Sequence, residues 1–288
     1  MSMNLLNIPE RNPNKRLVIF AKLVYNIIDY EYLLVWSALR LKTADIMGVG
    51  FHAVTLNEAV DCAMNHIHMK KKGYIVTPNP EIVYLTLDDP AFRSLLNGAA
   101  LVLPDGIGII YAARVLGRAL YGRVTGIDFA NLLMHRMAQE HLRLFLLGSK
   151  PGVAELAAEN LQKKHPGLII SGCHDGYFQD AQSATDAVNA AGGTDVMFVC
   201  LGAPKQEYFM AEWQDKLNAT LLCGLGGSLD VFAGTVKRAP TIFGKLGLEW
   251  LYRLYKEPWR FRRMLKLPLF LLLAVKERIH PQNREGDK

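Results

Sequence analysis

The feature that most constrains the fold is an alternation, from about Asp45 to Cys223, of short apolar β-like runs with helical stretches. Strands are expected at 73–77, 100–103, 143–147, 168–173, 196–201 and 219–223. Helices are expected between them, at 56–71 with Thr55 as the cap, 81–88, 91–97, 109–116, 127–140, 153–165, 181–191 and 205–217. A strand, a helix and a second strand in succession return the chain in the same direction. The alternation therefore predicts an α/β, Rossmann-like unit, a mostly parallel sheet with helices on both faces. Half of the residues are apolar and 21% are charged, enough for a large core and far from a disordered composition.

The flanks differ from this middle. Residues 17–41 are rich in Leu, Val, Ile, Tyr and Trp, but Lys22, Asp29, Glu31 and Arg40 interrupt them. Such charges make a simple membrane span too costly, so a helical extension over 1–44 is expected instead. After Lys237-Arg238-Ala239-Pro240 the strand patterns stop, and two helical patterns follow, 241–255 and 257–278, parted around Pro258. Between Lys237 and Arg278 there are eleven Lys or Arg against three Glu, a net +8 in a chain of net +6. The core is then slightly acidic, and an anionic partner belongs with the tail. Three parts result: the extension 1–44, a catalytic core 45–236, and a basic appendage 237–288 that ends in a polar tail.

Several functions are disfavoured. Cys62, Cys173, Cys200 and Cys223 form no Cys-x-x-Cys pair, so neither a zinc site nor a disulfide framework is indicated, and a reducing compartment fits. Arg11, Lys15 and Arg16 precede an apolar stretch, but Lys22 breaks it and no secretory cleavage site follows. No Asp-x-Asp and no His-x-x-x-His occurs, so no divalent-metal site is expected. Gly106-Ile107-Gly108 begins a dinucleotide fingerprint, yet Tyr111 stands where the third glycine belongs, which argues against a nicotinamide oxidoreductase. No nucleic-acid module is recognisable, and nucleic acid is not an expected partner.

What remains points to anions at the sheet's edge. Thr77-Pro78-Asn79-Pro80-Glu81 and Pro104-Asp105-Gly106-Ile107-Gly108 each follow a strand and lead into a helix, so Asp105 stands at a strand's C-terminal end. Ligands of open α/β sheets bind there, because loop amides and helix N-termini point into that crevice. Asp105 can be read as a reacting carboxylate or as the cap of the next helix. Gly148 to Gly152, Gly202 to Glu207 and Gly224 to Ser228 are small-residue turns after strands, which together favour a nucleotide-like ligand. Arg123 and the basic tail can supply leaving-group charge. Arg260, Arg262, Arg263 and Lys266 precede the apolar run 267–275, which is too short to span a bilayer but suited to its interface.

These motifs, with Arg123-Val124-Thr125-Gly126, Asp175-Gly176-Tyr177-Phe178, Gly202-Ala203-Pro204-Lys205-Gln206-Glu207, Gly226 to Val231, Val236 to Pro240 and Leu246 to Arg253, resemble the WecG/TagA/CpsF glycosyltransferases, glycosyltransferase family 26. The likeness runs from about Asp45 to Lys266. It implies a metal-independent, inverting bacterial enzyme with a GT-E type fold and no cofactor. The enzyme moves a sugar from a UDP donor to a sugar on undecaprenyl diphosphate, in teichoic acid, common antigen or exopolysaccharide synthesis. By motif, Asp105 matches the general base, and Thr77 and Asn79 line its pocket. Arg123, Gln206 and Asp230 match substrate or nucleotide positions, and Arg253, Arg260 and Arg263 match appendage arginines that reach the diphosphate. The resemblance also implies a peripheral location on the cytoplasmic membrane surface. N-acetylmannosamine, its uronic acid and glucose all stay open as donor sugars, and self-association stays open too. An aspartate of ordinary pKa near ~3.9 is ionised at neutral pH, which suits a base in a single displacement.

Overall fold

The computed structural model describes residues 41–178, 180–245, 247–256, 258, 261 and 266–280. The expected N-terminal helix and the polar tail 281–288 lie outside them. The first described elements form an antiparallel hairpin that the sequence reading did not anticipate, β1 (Thr43–Ile46) and β2 (Val49–His52). Ile46, Val49 and Phe51 bury one face of it completely. His52 Nδ1 accepts the amide of Val102 at 3.0 Å. The hairpin thus takes a donor from the sheet's edge strand, which blunts that edge against intermolecular pairing.

From there the chain alternates as expected. Thr55 caps α1 (Leu56–His68) with a reciprocal capping box to Glu58. Then come β3 (Gly73–Val76), α2 (Pro80–Leu85), α3 (Pro90–Asn97), β4 (Leu101–Val102), α4 (Ile107–Leu116) and α5 (Gly126–Gln139). The second half runs β5 (Arg143–Gly148), α6 (Val153–Lys164), β6 (Ile169–His174), α7 (Ala181–Ala190), β7 (Thr194–Cys200), α8 (Lys205–Trp213), β8 (Ala219–Gly224) and a short α9 (Ser228–Phe232). The six strands β3 to β8 form one sheet in the order β4-β3-β8-β7-β5-β6, and every neighbouring pair is parallel. Such a sheet must be covered on both faces, and its central strands are near-continuously buried, as in Phe145 to Leu147 and Val196 to Val199. The architecture is the Rossmann-like α/β one expected.

The chain leaves β5 toward β6 and leaves β7 toward β8, in opposite directions, so the C-terminal ends of β5 and β7 are the topological switch point at which ligands of open α/β sheets bind. Gly148 makes that junction possible. Its φ is +131°, and a Cβ there would lie 2.3 Å from the Cys200 carbonyl oxygen.

The tail differs from the two expected helices. It forms α10 (Thr241–Lys245), α11 (Glu249–Lys256) and α12 (Lys266–Ile279). The expected single helix over 241–255 is broken at Gly247, whose φ of +71° has no place in a right-handed helix. Helix α12 packs on α4 and α2 through the buried Phe270 and Ala274. Gly108 admits it: a Cβ at that position would meet Leu267 Cδ1 at 2.4 Å and Pro80 Cγ at 2.6 Å.

Among the described residues Glu207 is the one carboxylate that is fully buried, 1% exposed on α8. Its Oε1 accepts from Gln206 Nε2 at 2.8 Å, while its Oε2 has no protein partner. Burial pushes the carboxyl above the usual range, against the opposing pull of the Gln206 bond. The folded chain then binds this proton more readily than the unfolded chain does. The residue's contribution to stability is therefore complete below its ordinary value of 4.5 and is lost as pH rises through the raised one. Glu207→Gln should gain thermal stability relative to the wild type as pH climbs from about 4.5 to about 8, and parallel melting curves would contradict this. Gly148→Ala should cost about 2 kcal/mol or more in urea unfolding, and an unchanged midpoint would contradict the β5–β7 approach.

Candidate active site

The candidate residues gather at the C-terminal edge of the sheet, and hydrogen bonds that continue past the strand ends place them. The Leu103 amide donates to the Val76 carbonyl at 2.9 Å, the Asp105 amide to Pro78 at 3.3 Å, and the Val124 amide to Pro104 at 3.0 Å. The loops after β3 and β4 and the one before α5 are thereby laced side by side.

The carboxylate of Asp105 is half-buried at this edge and accepts the amide of Gly126 at 3.4 Å, the first residue of α5. It does not cap the helix that follows it. Helix α4 begins after Gly106, whose φ of +88° turns the chain and which offers no side-chain cap. The capping reading of Asp105 is therefore set aside in favour of a carboxylate facing the amino end of another helix, where the dipole favours negative charge.

Thr77 and Asn79 stand beside it. Thr77 is buried and its hydroxyl donates to the Gly224 carbonyl at 3.0 Å, tying the end of β3 to the end of β8. A Cβ on Gly126 would come within 3.2 Å of that hydroxyl oxygen, which shows how closely α5 approaches. Asn79 Oδ1 caps α2 by accepting the Ile82 amide at 3.0 Å, and its amide nitrogen has no protein partner among the described residues.

Gln206 and Asp230 form a second group across Gly224. Gln206 is buried and its Oε1 accepts the Gly226 amide at 3.0 Å, so Glu207 behind it holds a side chain that fixes the glycine-rich turn. Asp230 Oδ1 accepts from Ser149 Oγ at 2.9 Å, joining the turns after β5 and β8 past the end of β7. Ser149 was not singled out in the sequence. Its place in the Gly148 to Gly152 turn is the signal that pointed to it.

Arg123 is paired within the chain. Its Nη1 pairs with Glu249 Oε2 of α11 at 3.0 Å, and its Nη2 reaches the Gly244 carbonyl at 3.5 Å. Arg238 grips Asp128 with both nitrogens, at 2.7 and 2.9 Å. Asp128 also accepts from the α5 cap Thr125 at 2.6 Å. Burial raises the Asp128 carboxyl, but the bonds from Arg238 and Thr125, with the charges of Arg238 and Arg123, outweigh it and leave it below the usual range. The Arg238 guanidinium is raised chiefly by its Asp128 bond, with smaller contributions from the charges of Glu249 and Asp105. A cation from the start of the appendage thus lies within electrostatic reach of Asp105. The sequence signals for Arg238 and Glu249 are the Val236 to Pro240 motif around the first and the rarity of an acid in this basic segment for the second.

Of the expected appendage arginines, Arg260 and Arg263 lie outside the described residues. Arg253 belongs to α11, but its side chain is likewise outside them.

The comparisons with known proteins bear on the family of the chain. The family model described as Glycosyl transferase WecG/TagA/CpsF family matches residues 44–284. An N-acetylglucosaminyldiphosphoundecaprenol N-acetyl-beta-D-mannosaminyltransferase of Bacillus spizizenii strain W23 is 37% identical over 211 residues, 73% of this chain and 82% of the relative. Proteins of the same name from Bacillus subtilis strain 168 and Staphylococcus aureus strain MW2 are 34% and 33% identical. They cover 82% and 81% of this chain and 93% and 92% of their own lengths. With the fold, the edge motifs and the matched span in agreement, the chain belongs to the WecG/TagA/CpsF family of glycosyltransferases.

Proposed function

We propose that the chain transfers N-acetylmannosamine from a UDP donor to N-acetylglucosamine carried on undecaprenyl diphosphate. The names of the relatives support this donor sugar and this acceptor. The observation that carries the chemistry is the Asp105 carboxylate, held at the sheet edge by the Gly126 amide with Asn79 and Thr77 beside it.

In this reading the acceptor hydroxyl oxygen attacks C1 of the donor sugar. Its bond to C1 forms as the bond from C1 to the UDP oxygen breaks with both electrons. The hydroxyl proton passes to Asp105. One displacement inverts the anomeric centre and needs no second carboxylate. The switch point between β5 and β7, with the Gly148 turn, Gln206 and Asp230, is the proposed nucleotide subsite. Charge on the departing UDP is met by amides and by the arginines of the appendage, Arg253, Arg260 and Arg263, so transfer is proposed to need no divalent cation.

We also propose that α12 rests on the cytoplasmic face of the membrane. Leu269, Leu272, Val275 and Ile279 form an exposed apolar stripe opposite the buried Phe270 and Ala274. No helix of the described residues is long and apolar enough to cross a bilayer. A basic helix with an outward apolar stripe suits the interface instead.

Asp105→Asn should lower turnover about 10²- to 10⁴-fold with UDP-N-acetylmannosamine and lipid-linked N-acetylglucosamine, measured as UDP release in the presence of EDTA. Near wild-type turnover in the variant, or loss of wild-type activity on adding EDTA, would contradict the mechanism. Leu272→Glu should weaken cosedimentation with phosphatidylglycerol vesicles by about tenfold or more. Undiminished vesicle binding would count against the membrane face.

A further inference from the structure

The contacts of Arg123 suggest a task different from direct substrate binding. Its pair with Glu249 joins two segments 126 residues apart, and the two side chains are only 17% and 18% exposed. A pair so sheltered is screened far less than a surface ion pair, and removing one member leaves the other charge poorly solvated. Glu249 has a second cation nearby, since Arg238 Nη2 lies 3.9 Å from its Oε1. Gly244 leaves room for the carboxylate: a Cβ there would sit 2.9 Å from Glu249 Oε1. Glu249 is also the first residue of α11, where a negative charge complements the helix dipole.

Both arginines are anchored close to Asp105. Arg123 directly precedes Val124, whose amide is bonded to Pro104, and Gly126, three residues after Arg123, donates its amide to Asp105. Arg238 is held by Asp128, two residues further along the same helix start. The grip on Glu249 and the hold on Asp105 thus share one rigid turn. Position 253 follows Glu249 by four residues, so the two positions share one face of α11.

We propose that Glu249 is the positioning residue that sets the register of the C-terminal appendage on the core, clasped by Arg123 and Arg238 beside Asp105. Arg123 then acts on catalysis by seating the appendage. The effect on turnover rests on the glycosyltransferase reading given above, whereas the effect on docking does not.

The test uses the full chain and two readouts. In Glu249→Arg, amide hydrogen exchange across α11 should quicken about tenfold or more while the strands β5, β7 and β8 keep wild-type protection. Transfer to the lipid acceptor should fall about tenfold or more, with the KM for the UDP donor unchanged. The exchanged pair Arg123→Glu with Glu249→Arg should restore part of that protection, since it rebuilds the closer ion pair with its sign reversed while Arg238 then faces a like charge. Wild-type protection of α11 in Glu249→Arg, an exchanged pair no better protected than the single variant, or faster transfer in the single variant would each overturn the proposal. Faster transfer would mean that the pair restrains the enzyme. A wild-type protein that shows no transfer at all while the exchange pattern holds would sink the functional reading and leave the docking role intact.

Discussion

Everything at this site depends on a few backbone hydrogen bonds that continue the sheet beyond its strands. Pro78 and Pro104 carry no amide hydrogen, so each can only accept at its position, and each does, from Asp105 and Val124. The effect is to stop the ladder in a defined place and turn two loops outward together. Asp105 is then set opposite the amino end of α5 without serving as a cap for its own helix. A loop carboxylate with this many constraints on its backbone gains orientation that a surface aspartate lacks, and orientation is what a general base requires.

The same economy of placement extends to the appendage. Thr125 caps α5, Asp128 in its first turn holds Arg238, and Arg123 just before the cap holds Glu249. One helix start therefore faces Asp105 on one side and the appendage on the other. Gly108 adds the steric half of the contact by letting α12 settle against α4. The outer face of α12 carries an apolar stripe, so the element proposed to meet the membrane is packed directly on the helix that follows Asp105.

Much of this was legible in the sequence because it is written in local patterns. The alternation of runs located all six sheet strands, Thr55 announced its helix, and the strand-end breaks located Asp105, Thr77 and Asn79. Other parts depend on contacts that no local pattern encodes. The hairpin β1–β2 has four-residue strands with only two buried apolar side chains each, too short a pattern to read. The break at Gly247 was hidden because a glycine in a helical pattern is often tolerated, as Gly244 is within α10. Arg123 reads as an anion ligand by residue type, and only the fold shows that it pairs with a glutamate of the same chain. For Thr77 and Asn79, sequence named the pocket but could not show that their oxygens already serve β8 and α2.

The most direct measurement is a structure of the chain with a non-hydrolysable UDP-sugar and a short lipid-linked acceptor bound. The account predicts the diphosphate at the switch point beyond β5 and β7 and the attacking hydroxyl within about 3 Å of the Asp105 carboxylate. A sugar seated away from that edge, or an acceptor hydroxyl that no Asp105 oxygen can reach, would contradict it.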